Sequence, residues 1–278
     1  MQIIDAHHHL WDKSRFAYSW LTEVPDIDRN FLIADYEESI RGTDVVKSVH
    51  VQADVDPPFA LQETRWVLSM AEANTPIEGV VAWAPVEEPG LEDYLDTLGE
   101  HPNLKGFRRL LQTQEADFCL KPEFIAGMRL LAARGYSFDL CIYHPQLSSV
   151  VELVRQVPEM SFVLDHVGKP DIKAGAMQPW KDQLRELAAL PNACCKVSGM
   201  VTEADPGSWT SETLRPFIDS AIEAFGFERT MFGSDWPVCL LGASYGQWLE
   251  TLSEAVRGAS GDEQEQLFYR TAERYYRL

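Results

Sequence analysis

Eight short apolar, β-like runs recur along the chain, and segments with helical periodicity separate them. The runs lie at 2–9, 45–53, 79–86, 104–110, 136–142, 161–166, 193–198 and 230–234. The helical segments lie at 34–41, 60–73, 91–98, 122–133, 147–157, 179–190, 211–225, 245–256 and 262–276. Their apolar residues recur at three- and four-residue steps, as in Leu147, Val150, Val151 and Val154. Such alternation requires parallel strands joined by crossover helices.

Eight strand–helix units in 278 residues predict an α/β fold of one domain, residues 1–278, in the form of a closed (β/α)8 TIM barrel. A doubly wound open sheet is the rival architecture. It usually carries a glycine-rich turn after an early strand, and the sequence contains no G-x-G-x-x-G motif. The longest irregular region, 11–31, is rich in Trp, Tyr and Phe. Because it follows the first strand, we expect it to cover the active face of the barrel.

Composition and charge limit the classes of molecule that the chain can bind. A formal charge of −19 and a pI of about 4.7 argue against nucleic acid, whose phosphates require a basic surface. The sequence contains no apolar run near the ~20 residues of a membrane span, and its start lacks a signal-peptide pattern. Its five cysteines are odd in number and show no zinc-finger spacing, so free thiols in a reducing cytoplasm are expected. A small-molecule substrate fits this profile, and the oligomeric state stays open.

In a TIM barrel, catalytic groups sit at the carboxyl ends of the strands, where the βα loops converge. Candidate site residues are therefore those at or just after the predicted strand ends. They are His7, His9, Gln52, Trp83, Arg108, Arg109, Tyr143, His144, Asp165, His166, Lys169, Lys196, Ser198, Ser234, Asp235 and Trp236.

His7 and His9 are the leading metal-ligand candidates. Side chains alternate along a strand, so these two imidazoles project from the same face and His8 faces away with a structural role. Two imidazoles so placed can hold one divalent cation or grip one polar substrate. His166 is favoured as a further ligand or proton carrier, and His144 is the alternative ligand.

Asp235 follows an apolar strand and a glycine in the run Phe-Gly-Ser-Asp-Trp-Pro. A carboxylate there would be costly to bury unless it binds metal, pairs with a cation or accepts protons. We interpret Asp235 as a general base, and a helix N-cap is the structural alternative. Arg108 could bind a substrate carboxylate or carbonyl oxygen, whereas a surface ion pair suits Arg109 better. Further substrate contacts are expected from Gln52, Trp83, Lys169 and Trp236.

Four ordered blocks of sequence resemble the amidohydrolase superfamily. Asp-Ala-His-His-His-Leu-Trp-Asp at 5–12 resembles its opening D-x-H-x-H-x-W signature. Lys-Gly-Phe-Arg at 105–108, Leu-Asp-His-Val-Gly-Lys-Pro at 164–170 and Phe-Gly-Ser-Asp-Trp-Pro at 232–237 resemble later signatures of its sugar-lactonase branch. The blocks cover nearly the whole chain.

This resemblance implies a distorted TIM barrel and a hydrolytic reaction. It implies that His7, His9, His166 and Asp235 form the site, and Lys105 of the second block joins the expected substrate contacts. Binuclear members carry a carbamylated lysine or a glutamate after the fourth or fifth strand, and the sequence offers no candidate for it. At most one divalent ion, with zinc favoured, is therefore expected. Some lactonases of this branch act without metal.

The favoured function is hydrolysis of a sugar lactone to its aldonate, with Asp235 as the base and Arg108, His166 or the metal stabilising the oxyanion. A second hypothesis is metal-dependent decarboxylation of an aromatic or muconate-type acid, because superfamily decarboxylases share this residue set. There His144 would be a ligand and His166 would activate water. A third hypothesis is a non-catalytic protein that binds sugar acids.

Overall fold

The computed structural model describes residues 1–73 and 75–278, and its eight parallel strands form one sheet in sequential order. Between β8 and β1 the barrel closes through a parallel bridge of His8 with Trp236, where the Asp235 N–H also donates to the His7 carbonyl at 2.8 Å. The predicted (β/α)8 barrel is confirmed. The strands are β1 Ile3–His8, β2 Val45–Val51, β3 Ile77–Ala82, β4 Leu104–Arg108, β5 Ser137–Leu140, β6 Ser161–Leu164, β7 Ala193–Val197 and β8 Thr230–Phe232.

Helices surround the strands and agree closely with the periodic segments. They are α1 Ile33–Ser39, α2 Ala60–Ala71, α3 Leu91–Leu98, α4 Pro122–Ala133, α5 Leu147–Gln156, α6 Trp180–Ala188, α7 Met200–Glu203, α8 Ser211–Phe225, α9 Tyr245–Ala255, α10 Gly261–Glu265 and α11 Thr271–Tyr276. A π-helical turn, Gln266–Arg270, joins the last two. Helix α7 was not predicted, since four residues are too few to show a period. Within the described residues no helix combines the length and apolarity needed to cross a membrane.

Apolar side chains form two clusters. The larger one fills the layer between strands and helices, and it includes the predicted stripe of α5, whose Leu147, Val150, Val151 and Val154 are all buried. The smaller one lies inside the barrel. Tyr276 and Ala272 of α11 close this interior from the amino ends of the strands. Its strand members are Ile4, Ala6, Val49, Val51, Val81, Val163, Cys194 and Met231.

A register shift in β1 decides which of its polar residues enter the barrel. Asp5 pairs with Ser48, but His8 pairs with His50, so three steps on β1 oppose two on β2. The Asp5 side chain contacts Tyr36 of α1, on the helical side. Strict alternation would put Asp5 on the face of His7 and His9. The irregularity sends it outward while the two histidines face the interior.

The aromatic segment 11–31 lies over the carboxyl ends of the strands, as expected. The Trp20 indole N–H donates to the Ala53 carbonyl at 2.8 Å just beyond β2. Trp20 and Val24 line the pocket at this end of the barrel. The segment therefore supplies one wall of the candidate site.

Candidate active site

Side chains from the first, sixth and eighth strand ends meet at the carboxyl end of the barrel. His7 Nε2 lies 3.2 Å from His9 Nε2. Asp235 Oδ1 lies 3.3 Å from His9 Nε2, 3.7 Å from His7 Nε2 and 3.9 Å from His166 Nε2. Ligand atoms of His7, His166 and Asp235 all fall within 4.8 Å of one another. The structure thus brings together the four residues that the sequence singled out.

Hydrogen bonds behind the rings orient two of the imidazoles. His9 Nδ1 lies 2.7 Å from the Val51 carbonyl, which can only accept, so Nδ1 carries a proton. Nε2 has a lone pair when this ring is neutral and can donate to Asp235 Oδ1, 3.3 Å away, when the ring is protonated. His166 Nδ1 lies 2.9 Å from Ser198 Oγ, and this hydroxyl can donate or accept. Both rings can therefore present Nε2 as an acceptor to the centre of the site.

His7 has two partners of opposite charge behind its ring. Its Nδ1 lies 3.2 Å from Asp165 Oδ1 and 3.2 Å from Lys196 Nζ. A proton on Nδ1 would face the carboxylate, and a lone pair there would face the ammonium. The tautomer of His7 therefore depends on which of the two groups, the Asp165 carboxylate or the Lys196 ammonium, forms the hydrogen bond with Nδ1.

Burial governs the protonation of the site. It lowers the pKa of His7 and His166 well below the usual range, so both imidazoles are neutral, as metal ligation requires. Burial is also the largest influence on Asp235 and raises its pKa. The combined attraction of His166, His9 and Lys169 outweighs it and holds that pKa below its ordinary value. Asp235 is therefore ionised at neutral pH.

The donor set fits one small divalent ion. In a tetrahedral zinc site with bonds of about 2.0–2.1 Å, neighbouring ligand atoms lie roughly 3.3 Å apart. The separations from Asp235 and between His7 and His9 run from 3.2 to 3.9 Å, and three imidazoles with one carboxylate suit zinc. Arg108 Nη1 lies 3.3 Å from His7 Nε2, so a positive charge adjoins the same spot and weakens the hold on a cation.

A second cluster of potential ligands consists of Cys141, Asp165 and His166, also within 4.8 Å of one another. Asp165 there contacts two cations, with Arg108 Nη1 3.2 Å away and Lys196 Nζ 3.1 Å away. A divalent ion would have to displace or tolerate both. The first cluster is the better metal site.

Arg108 is held so that part of its guanidinium faces the pocket. Its Nη2 donates to the Gln52 carbonyl at 2.5 Å and its Nη1 to Asp165 Oδ2 at 3.2 Å. Within the described residues its buried Nε–H has no hydrogen-bond partner. An unpaired buried donor is costly.

A pocket of about 350 Å³ lies above these residues. His9, Arg108, His166, Lys169 and Asp235, all predicted site residues, contribute to its walls, whereas the fully buried His7 lies beneath them. The remaining lining residues are Trp20, Val24, Ala53, Asp54, Leu110, Gln112, Thr113, Cys141, Tyr143, Thr202, Glu203, Val238 and Leu241.

Lys105 lies at the wrong end of its strand to contact substrate. It is the second residue of β4, three positions before Arg108, and its Nζ donates to the Arg277 carbonyl at 2.9 Å near the amino end of the barrel. The substrate contact predicted for it is therefore wrong.

Three other predicted substrate contacts are also absent from the walls of the described pocket. The Gln52 side chain accepts from the Asp54 N–H at 2.6 Å, so Gln52 shapes the loop after β2. Trp83 packs edge-on against Tyr94, with ring centroids 5.7 Å apart. Trp236 is buried against Phe31, 5.3 Å away between centroids. Each of these side chains follows a strand but turns away from the pocket.

His144, the alternative ligand, follows β5 in a short 3₁₀ turn. It belongs to neither ligand cluster among the described residues and does not line the pocket there. The decarboxylase hypothesis requires His144 as a metal ligand, and the structure does not place it with the other ligands. His166 lies with His7 and Asp235, as the lactonase hypothesis requires.

Sequence reasoning missed two acids in the pocket. Asp54 stands two residues beyond Gln52, and the strand-end rule would have found it had the window been wider. Glu203 ends α7, five residues after Ser198, where no motif marks it. Its Oε1 lies 3.4 Å from Lys169 Nζ.

Backbone strain is concentrated around the site. Among non-glycine residues with positive φ, four line the pocket: Asp54 at 53°, His166 at 55°, Lys169 at 46° and Asp235 at 58°. Such conformations are uncommon for residues with a Cβ and cost of order 1–3 kcal/mol each. They place these four side chains in the wall of the pocket.

Close approach to the imidazoles requires two glycines. A Cβ on Gly199 would lie 2.5 Å from His166 Nδ1, and one on Gly233 would lie 2.8 Å from the His7 Cβ. Both contacts are too short for real atoms. The strand ends β7 and β8 therefore need glycine where they pass the histidines.

A chain of buried polar groups supports the site from inside the barrel. The Tyr276 hydroxyl donates to Asp139 Oδ2 at 2.8 Å, and Lys196 Nζ donates to the same oxygen at 2.5 Å. Lys196 Nζ also lies 3.1 Å from Asp165 Oδ1. Asp165 Oδ2 in turn lies 3.2 Å from Nη1 of Arg108, which lines the pocket. All five side chains are buried. Sequence analysis placed Lys196 among the strand-end candidates but did not predict that it links Asp139 to Asp165.

Comparison with known proteins covers the whole barrel. The amidohydrolase family model matches residues 4–278. An L-fucono-1,5-lactonase of Burkholderia multivorans is 35% identical over 277 residues, covering 92% of this chain and 92% of that enzyme. An L-rhamnono-gamma-lactonase of the yeast Scheffersomyces stipitis is 25% identical, covering 100% and 99%. The crystal structure of an amidohydrolase from Burkholderia multivorans with bound zinc has a TM-score of 0.91 and 33% identity, with 100% of both chains covered.

Proposed function

Because this chain belongs to the amidohydrolase family, we propose that it hydrolyses a sugar lactone to the open-chain aldonate at the His7, His9, His166 and Asp235 site. Relatives named as sugar lactonases, at 35% and 25% identity over nearly the full chain, support this chemistry. The observation that carries the proposal is the meeting of an ionised carboxylate with three imidazole nitrogens, 3.3–3.9 Å away, at the floor of a pocket that also holds an arginine.

The reaction needs a base, an oxyanion partner and an acid. Asp235 takes a proton from water as the water oxygen bonds to the lactone carbonyl carbon. The guanidinium of Arg108, which lines the pocket, stabilises the negative charge that develops on the carbonyl oxygen. The bond from the acyl carbon to the ring oxygen then breaks, and Asp235 returns its proton to that oxygen. The product is a carboxylic acid with a new hydroxyl, and at neutral pH this acid releases its proton to solvent and becomes the carboxylate.

A single divalent ion, with zinc favoured, fits the same four residues. When bound it would supply Lewis acidity toward the carbonyl oxygen or the water. We expect the purified protein to hold at most one such ion per chain, measured by plasma mass spectrometry together with activity before and after chelation. Two ions per chain would contradict the site described here.

Replacing the base tests the proposal most directly. Asp235→Asn keeps the size of the side chain but cannot accept the proton, so turnover of aldonolactones should fall about 10²- to 10⁴-fold. The measurement is acid release from a panel of five- and six-membered aldonolactones, followed with a pH indicator. Circular dichroism and a melting curve check that the fold is intact.

The matched control is Asp219→Asn, which removes a carboxylate from an exposed pair with Arg215 on α8. Its turnover should equal that of the unaltered protein. Near-normal turnover in Asp235→Asn would refute the role of Asp235 as base. Failure of the unaltered protein to open any lactone, with or without added zinc, would refute the proposed function itself.

A further inference from the structure

The pocket contains two cations, and a carboxylate adjoins each of them. Lys169 Nζ lies 3.4 Å from Glu203 Oε1, and both side chains line the pocket wall. Arg108 is paired from behind with Asp165. Two more acids, Asp54 and Asp235, also line the pocket. Among the described residues that line the cavity, each cation therefore has a carboxylate partner, and the acids outnumber the cations.

The Lys169–Glu203 pair is partly desolvated. The side chains are only 15% and 19% exposed, so their attraction is stronger than that of a surface pair. A substrate carboxylate near Lys169 would have to displace Glu203 or lie beside it, against like charge. A hydroxyl meets no such conflict, because it can donate to Glu203 and accept from Lys169.

We propose, on the basis of the proposed function, that Glu203 is a specificity-determining residue. By neutralising Lys169 it makes the pocket accept lactones whose substituents are hydroxyl or alkyl groups and reject lactones that carry a carboxylate. Glu203 does not touch the reacting bond, so its effect falls on which substrate binds and not on the chemical step.

The test compares two substrates that differ in one group. One is the neutral aldonolactone that the protein turns over fastest. The other is the same lactone with its terminal carbon oxidised to a carboxylate. The unaltered protein should prefer the neutral lactone in kcat/KM by roughly tenfold to a hundredfold, the effect of one misplaced charge.

Glu203→Gln keeps the shape of the side chain and leaves Lys169 unpaired. It should raise kcat/KM for the carboxylated lactone about tenfold or more, chiefly through KM, and this gain should shrink in high salt. Adding Lys169→Met to that variant should abolish the gain. The matched control is Glu223→Gln, which breaks the exposed pair of Glu223 with Lys181, 3.1 Å apart, and should leave the preference unchanged.

The outcomes separate the two claims. If the unaltered protein opens no lactone of the panel, the proposed function fails. If it opens both lactones of the comparison equally well, or if folded Glu203→Gln keeps the original preference, the role of Glu203 is overturned while lactone hydrolysis stands. The first comparison uses the unaltered protein and so holds even if Glu203→Gln does not fold.

Discussion

Two buried carboxylates on opposite sides of the strands are stabilised in different ways. Asp5, outside the barrel, accepts from five neutral donors. The N–H groups of Ser234 and His7 reach Oδ1 at 2.8 and 3.2 Å, and the hydroxyls of Ser234, Tyr36 and Tyr245 reach Oδ2 at 2.6, 3.0 and 3.2 Å. Burial still dominates these bonds and raises the pKa of Asp5.

Asp165, inside the barrel, contacts charges. Burial is the largest single influence and would raise its pKa, but Lys196 and Arg108 together lower it below the ordinary value. Its neighbour Asp139 shares Lys196 with it, and burial raises the pKa of Asp139 to about 6.

The difference follows from what each cluster supports. The Asp5 cluster ties β1 to β8 at the barrel seam and to helices α1 and α9, a task that hydrogen bonds of fixed geometry perform. The Lys196 cluster, which consists of Lys196, Asp139, Asp165 and Tyr276, lies beneath His7 and Arg108. At that point a neutral imidazole adjoins a guanidinium. Removing one partner of a buried ion pair leaves a buried charge without compensation. A substitution in the Lys196 cluster should therefore reduce the free energy of unfolding more than one in the Asp5 cluster.

The largest effect is expected from Lys196→Met. It leaves Asp139 and Asp165 buried without their shared cation, which should reduce the free energy of unfolding by about 3–5 kcal/mol. Urea unfolding measures it. Lys181→Met, which breaks the surface pair with Glu223, is the control and should change that quantity by less than about 1 kcal/mol. A loss equally small in Lys196→Met would show that the two acids do not need the cation.

Asp5→Asn should have a smaller effect, about 1–2 kcal/mol in the free energy of unfolding. The amide oxygen can still accept from the Ser234 N–H, and the surrounding hydroxyls can rotate to accept from the amide NH₂. The same urea titration compares it with Lys196→Met. If Asp5→Asn proved the more destabilising variant, the contrast between the clusters would be reversed.

Tyr276→Phe should cost about 0.5–1.5 kcal/mol, since it removes one hydroxyl and leaves Lys196 on Asp139. Thermal melting detects such a loss. A loss as large as that of Lys196→Met would mean that the tyrosine contributes to the stability of Asp139 as much as the lysine does.

A pH-dependent effect is expected from a third buried carboxyl. Glu63 of α2 is 1% exposed, and burial raises its pKa to about 8 from an unfolded value near 4.5. Between these values the folded chain holds a proton that the unfolded chain releases, so Glu63 makes the free energy of unfolding fall as pH rises, by up to about 1.4 kcal/mol per pH unit.

Glu63→Gln should flatten that part of the stability curve, measured by urea unfolding at pH 5, 6.5 and 8. An unchanged slope would show that Glu63 is ionised in the folded protein. In that case its environment would resemble that of Asp165 more than that of Asp5.

The sequence predicted the barrel, its strand order and the convergence of His7, His9, His166 and Asp235, because periodicity and strand ends are local properties. The contact of Tyr276 with Asp139 joins residues 137 positions apart and has no local signature. Likewise, side-chain direction after a strand depends on loop conformation. Trp83 and Trp236 follow strands as Arg108 ends one, yet they turn into apolar packing.

The outward position of Asp5 shows a further limit. It depends on one irregularity in the pairing of β1 with β2, and period-two reasoning cannot anticipate it. Glu203 escaped notice for a different reason, since a four-residue helix with no motif leaves no pattern to read.

The left-handed backbones at Asp54, His166, Lys169 and Asp235 have a practical consequence. Glycine or asparagine adopts these conformations more readily, so a screen for heat-resistant variants would find gains there. Each such substitution would remove or alter a functional side chain of the cavity and reduce turnover. Substitutions meant to raise thermal stability without loss of turnover should therefore be made at the amino end of the barrel and not in the loops around the pocket.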